Sequence, residues 1–350
     1  MTEIYVSVWW KRWLKKGWPY FLTFIVGLLI GLPLDGVALF HQVFGGAPQG
    51  YAQRLGQTEF TNHLLFCDST HGNEFKELQT LQNILKKKIQ VSKDQHLADS
   101  VSIYFRDLNS GHWTGVNEND SYVAASLIKV PIMISYYKNT ESKPDILSQL
   151  IKFEGGTDLN ATQNFKPALS LRVGQIYSVG ELIDSMIRYS ENNAAEVLTR
   201  YADSGLIERT YHDLDIPIID NASQEQIFTP RDYSYFFRAL YNETYLNHEM
   251  SERALRLLSQ TEFKDGLVAG VPTGTVVAHK FGERTFLGDD QKTHGVELHD
   301  CGIVYYPNHP YFLCVMTRGS EFTPLTGAIQ TISKTVYDFV DQTSQAQKSN

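Results

Sequence analysis

Eighteen consecutive uncharged residues, Gly17 to Leu34, lie between Lys16 and Asp35, and most of them are apolar. As a helix rising roughly 1.5 Å per residue the run is about 27 Å long, against a bilayer hydrocarbon core of about 30 Å. It suffices for one crossing, so it constrains whatever follows to fold on one side of a membrane. Lys11, Arg12, Lys15 and Lys16 precede the run, which places the N-terminus in the cytoplasm and the remainder outside. Trp9, Trp10, Trp13, Trp18 and Tyr20 sit where an interfacial aromatic belt belongs. The length of the run, and the lack of an obvious small-x-small site after it, favour an uncleaved anchor over a cleaved signal peptide. The asymmetric flanking charges favour it over a buried core helix.

The rest of the chain is unlike this segment. Residues 1–35 hold four basic and two acidic groups, +2 in all, so residues 36–350 carry −10 of the chain's net −8. No concentrated basic face points to nucleic acid. A mean hydropathy of −0.26 excludes a multi-span membrane protein. Three cysteines, Cys67, Cys301 and Cys314, exclude a disulfide-stapled scaffold and allow at most one bridge, with buried free thiols the alternative. The expected organisation is a cytoplasmic segment over 1–16, a single-pass anchor over 17–40, a linker over 41–72 and a folded domain over 73–345. The linker is Gly- and Gln-rich (GGAPQGYAQRLGQ).

Within the domain, Glu74–Gln90 has apolar residues at helical spacing, and Val101–Asp107 and His112–Val116 read as a hairpin around Asn109-Ser110-Gly111. Helices follow at Ser126–Lys138, Val179–Tyr189, Asn193–Tyr201, Pro230–Tyr241 and Ser251–Ser259. Strands return at Val276–Phe281, Cys301–Tyr306 and Tyr311–Thr317, the last two joined by Pro307-Asn308-His309-Pro310, and Leu325–Val340 closes with a helix. That order predicts an α+β domain, an antiparallel sheet built from both chain ends, flanked by helices and interrupted by an all-helical subdomain.

Three short motifs could carry chemistry. In Ser126-Leu127-Ile128-Lys129 a hydroxyl and an amine three residues apart share a helix face, which suits a nucleophile and its base; helix capping by Ser126 is the bland alternative. A second match, Ser135-Tyr136-Tyr137-Lys138, points the opposite way, and Pro131 is awkward inside a helix. Ser190-Glu191-Asn192 lies between two helices, where Ser190 could simply cap the second. Lys280-Phe281-Gly282 lies on a strand, with His279 expected on the other face.

In this order the three motifs resemble the signatures of serine penicillin-recognising enzymes, and the sequence is similar to the class A β-lactamase family over about residues 74–342. VSIYFRDLNSG…SLIKVPIM looks like the family's first strands and nucleophile helix, TPRDYSYFFRALY like the helix after its omega loop, and GIVYYPNHPYFLCVMTRG like its last two strands. The resemblance implies a β-lactamase/transpeptidase-like fold in which Ser126 forms an acyl-enzyme, Lys129 is the base and Ser190 passes a proton to the leaving nitrogen. Asn192 would hold substrate and help position Lys129, Lys280 would attract a substrate carboxylate, and the backbone N–H groups of Ser126 and of Glu283, next to Gly282, would form the oxyanion hole.

Three departures from the family pattern matter. Glu191 replaces Asp, Phe281 replaces a Thr whose hydroxyl meets the substrate carboxylate, and the Glu-x-x-Leu-Asn motif supplying the deacylating base is missing between Asn192 and Pro230. Asp213, Asp215, Asp220 and Glu225 are the loop candidates (HDLDIPIIDNASQEQ), and none sits in the expected context. The expectation is a membrane-anchored, monomeric, extracytoplasmic β-lactam hydrolase without metal or cofactor. A D-Ala-D-Ala carboxypeptidase-like enzyme acting on cell-wall peptide is the rival, and a non-enzymatic domain binding β-lactam or cell-wall peptide a further one.

Overall fold

The computed structural model describes residues 53–66, 76–218 and 225–348; the expected membrane segment, Cys67 and Asp220 lie outside them. Among the described residues no helix is long and apolar enough to cross a membrane.

The first described elements fall within the stretch read as linker: β1 (Gln53–Gln57) and β2 (Asn62–Phe66) pair antiparallel. Between them Phe60 is buried, its ring edge-on to Tyr305 at 5.4 Å. The Glu252 carboxylate accepts the Phe60 and Thr61 backbone N–H groups at 3.0 and 2.9 Å, and Tyr305 OH donates to Phe60 O at 2.9 Å. A spacer by composition therefore ends in a docked segment.

A 3-10 turn over Lys76–Leu78 leads into α1 (Gln79–Asp94), which starts later than the periodicity suggests. The hairpin β3 (Ser100–Asp107) and β4 (Trp113–Val116) turns as its residues dictate. Asp107 Oδ1 accepts from Ser110 N at 2.6 Å and Gly111 takes φ +77°. After β5 (Tyr122–Val123) a 3-10 turn over Ala125–Ile128 runs into α2 (Lys129–Asn139). Pro131 thus occupies the first α-helical turn, where its missing N–H costs nothing. β6 (Leu150–Lys152) and β7 (Ile176–Ser178) form a small pair before the helical block.

That block comprises α3 (Val179–Arg188), α4 (Asn192–Tyr201), α5 (Leu206–Asp213), α6 (Pro230–Tyr241) and α7 (His248–Ser259), with β8 (Ile227–Phe228) pairing back to β5. Their starts carry legible caps: a Ser178–Glu181 capping box, Thr229 with Pro230 at the first position, and Asn247. Helix α5 was not anticipated; it starts after Gly205 in the left-handed region, without a capping side chain.

The chain ends with β9 (Val277–Leu287), β10 (Thr293–Val304), β11 (Tyr311–Gly319) and α8 (Phe322–Lys348). The sheet order is β4-β3-β11-β10-β9, antiparallel throughout, so strands from both chain ends meet as expected and β9 is an edge. Strands β9 and β10 extend well beyond the apolar stretches that betray them. Their extra residues, such as Glu283, Arg284 and Glu297, are polar and are held by ladder pairing rather than by an apolar face.

Both faces of the sheet are covered. From β11, Phe312, Cys314 and Met316 point into the helical block, while Tyr311, Leu313 and Val315 meet α1 and α8. Cys301 and Cys314 are register partners on adjacent strands and form a disulfide.

Candidate active site

The nucleophile candidate sits on the 3-10 turn between β5 and α2, not on a regular helix. Ala125, just before it, takes φ +46°, a left-handed conformation that costs a non-glycine residue of order 1–3 kcal/mol and recurs at functional sites. Ser126 caps nothing there. Two clamps hold the turn: Ala124 N donates to Gln226 O at 2.8 Å, and Tyr233 OH donates to Leu127 O at 3.1 Å. On its other side lies Gly282 of β9. A Cβ there would stand 3.1 Å from Ala124 O and 3.3 Å from Leu127 N, so glycine is what lets the strand reach the turn that carries Ser126.

Lys129 lies one turn on, almost fully buried, and gathers the site. Its Nζ is 2.9 Å from Ser126 Oγ, 2.7 Å from Ser190 O, 3.1 Å from Ser190 Oγ and 2.5 Å from Asn192 Oδ1. Burial pulls its pKa from 10.5 down to about 7, against the opposing pull of the Glu191 and Glu283 carboxylates. A neutral amine has two N–H groups and one lone pair. Ser190 O and Asn192 Oδ1 can only accept, so they take the two N–H groups and leave the lone pair to the Ser126 hydroxyl. Asn192 Nδ2 donates to Leu159 O at 3.0 Å, which turns Oδ1 toward the lysine.

Ser190 is fully buried in the left-handed region (φ +55°) between α3 and α4. It does not cap α4. Glu191 does, accepting from Ala194 N, from Asn160 Nδ2 at 2.6 Å and from Asn193 Nδ2 at 3.0 Å. The longer carboxylate is thus an internal brace. Lys280, also fully buried, donates to Ser190 Oγ and to Phe281 O, each at 2.9 Å, and its pKa is pushed well down by burial and by Lys129. His279 points to the opposite face and pairs with Asp300 at 2.7 Å, as the strand alternation requires.

The five candidate side chains named from the three motifs, those of Ser126, Lys129, Ser190, Asn192 and Lys280, therefore converge, with Gly282 packed against the Ser126 turn. The other Ser-x-x-Lys match does not: Ser135 Oγ donates to Pro131 O and Thr210 Oγ1, and Lys138 donates to Tyr245 O. Among the described residues, three carboxylates of the omega-loop region are engaged elsewhere or open to water. Asp213 accepts from Tyr245 OH at 2.9 Å, Glu225 pairs with Arg284 at 2.7 Å, and Asp215 is exposed.

One segment escaped the motif search. Residues 158–165 form a strap across the site: Asn160 Oδ1 accepts Asn192 N at 2.8 Å, and Gln163 Nε2 donates to Ser190 O at 2.9 Å. At its far end the Asn164 and Phe165 backbone N–H groups reach the Glu283 carboxylate at 3.1 and 2.9 Å, and burial raises the pKa of that carboxyl. Phe165 also packs edge-on against Phe263, Phe281 and Phe322. The stretch GGTDLNATQNF carries only turn chemistry; nothing in it announces partners distant in sequence.

A serine hydroxyl hydrogen-bonded to a depressed-pKa lysine, with a second serine and a second lysine behind it, is the constellation of a serine hydrolase. The chain belongs to the beta-lactamase enzyme family, whose model matches residues 82–340. The fold is shared with PBP-A (21% identity, TM-score 0.62, 75% of this chain and 97% of that one). It is shared equally with the TLA-3 extended-spectrum beta-lactamase (20%, 0.63, 74% and 98%) and a class A beta-lactamase from Mycobacterium abscessus (20%, 0.62, 73% and 99%). No curated protein sequence matches the chain.

Proposed function

We propose that Ser126 opens the amide of a β-lactam, or of a related cell-wall peptide, through an acyl-enzyme. The observation that carries this is Lys129, a buried lysine whose pKa falls to about 7 and whose Nζ stands 2.9 Å from Ser126 Oγ. As Oγ forms its bond to the carbonyl carbon, the hydroxyl proton passes to the Lys129 lone pair. Charge building on the carbonyl oxygen would be met by the backbone N–H groups of Ser126 and Glu283. When the C–N bond breaks, Ser190 gives its proton to the departing nitrogen and recovers one from Lys129 or Lys280, both in contact with its Oγ. Water then cleaves the ester.

That last step favours the peptidase-like reading over fast β-lactam hydrolysis. Among the described carboxylates of that region, Asp213 and Glu225 are turned to other partners and Asp215 to solvent, so none of these three is positioned to activate the water, which supports a lasting acyl-enzyme. We further propose an extracytoplasmic, membrane-anchored location. The basic flank of the Gly17–Leu34 run supports it, and so does the Cys301–Cys314 disulfide, a bond that lasts in oxidising compartments.

The test is to treat full-length protein with a fluorescent penicillin and a chromogenic cephalosporin. Lasting label on Ser126 with slow colour is the expected result, and fast colour without label would mean efficient hydrolysis. If label and colour are both absent, and Ser126→Ala behaves like the parent, the acyl-enzyme reading is wrong.

A further inference from the structure

In the family resemblance, Lys280 and the residue after it receive a substrate carboxylate. The structure leaves no receptor of that kind. A lysine ammonium has three donors. Those of Lys280 face Ser190 Oγ, Phe281 O and the Phe281 ring, whose centroid is 4.2 Å from Nζ. The residue after it is Phe281 instead of a hydroxyl, 4% exposed, stacked on Phe263 at 4.2 Å and met edge-on by Phe165. This wall is apolar and dry. Across it, the Glu283 carboxyl group is fixed by the strap's two backbone N–H groups, so those two donors are already taken.

Two of the cations beside these residues in sequence are engaged elsewhere. Arg284 pairs with Glu225, and Lys166 donates to Asn160 O and Ala161 O. An incoming carboxylate would lose its water here and find the donors of Lys280 already engaged and an apolar ring beside them.

We propose that the subsite at Lys280, Phe281 and Glu283 selects for an uncharged group, so that the acyl donors opened at Ser126 carry an amide, an ester or a continuing chain where a free carboxylate would otherwise stand. This rests on the acyl-enzyme reading and narrows its substrate class to donors neutral on the leaving-group side. Lys280 keeps its role toward Ser190, and Phe281 with Glu283 becomes the specificity element.

The experiment compares benzylpenicillin with its methyl ester on full-length wild-type protein, following the Ser126 adduct by time-resolved intact mass. Each rate is normalised to the alkaline hydrolysis of the same compound. The ester is expected to acylate about tenfold faster or more, the discrimination that an uncompensated buried charge produces. Phe281→Thr and Glu283→Gln should each bring the ratio toward unity. Wild-type protein acylated by the free acid as fast as by the ester would overturn the inference while leaving the acyl-enzyme intact. An ester preference undiminished in both variants would overturn the assignment to this wall. Absence of adduct from either compound would end the acyl-enzyme reading and this inference with it.

Discussion

If Lys129 is the base for Ser126, acylation must follow the neutral fraction of that one amine. With its pKa at about 7 rather than the ordinary 10.5, the neutral fraction is about one tenth at pH 6, half at pH 7 and nine tenths at pH 8. The rate should therefore climb about tenfold between pH 6 and 8 and then level off. An ordinary lysine would give about a hundredfold rise over the same interval and keep climbing to about pH 10. The depression comes from burial and is opposed by the Glu191 and Glu283 charges, so Glu191→Gln should move the inflection downward. Removing the base with Lys129→Met should cost about 10²–10⁴ in rate. The assay is quench-flow formation of the Ser126 adduct from pH 5.5 to 10, with circular dichroism confirming that each variant is folded. A profile still rising at pH 9, a flat one, or an upward shift in Glu191→Gln would refute the assignment of Lys129 as base.

The lysine pair also sets how stability depends on pH. Lys280 has a depressed pKa when folded and an ordinary one when unfolded, so unfolding takes up a proton and stability rises with pH up to about 10. Lys280→Met removes that uptake; its Tm relative to wild type should be more favourable at pH 6 than at pH 9, and an equal offset would contradict the burial. Asn160→Ala strips the Glu191 carboxylate of one donor and Asn192 N of its acceptor. Loss of a charge-assisted bond should cost about 1.5–3 kcal/mol in urea titrations and slow acylation together. Phe60→Ala should release the docked segment: hydrogen exchange at the Phe60 and Thr61 amides, protected by Glu252, should lose protection while the acylation rate is unchanged.

Local chemistry accounts for what was legible. The Ser178–Glu181 box, Thr229-Pro230 and the Asn109–Gly111 turn act within a few residues, and the strands around Ile103, Ile303 and Val315 are apolar enough to be read directly. Polar extensions were not: residues 282–287 and 293–300 are strand because β9 and β10 pair, and backbone pairing leaves little mark on side-chain composition. Whether Ser190 or Glu191 caps α4 was equally undecidable, since both residue types can cap.

For the site, the sequence alone determined the nucleophile candidate, its neighbouring lysine and the two motifs behind them, because each motif is a short run whose chemistry needs those residue types. Only the tertiary structure decided that Lys129 is buried deeply enough to be neutral near pH 7, that Ser135-x-x-Lys138 is not a second site, and that a strap from residues 158–165 ties Ser190 to Glu283. It also decided that Phe281 is part of an aromatic wall. Desolvation and partners far apart in sequence are properties of the packed interior, and a residue's identity does not encode either until the chain has closed around it.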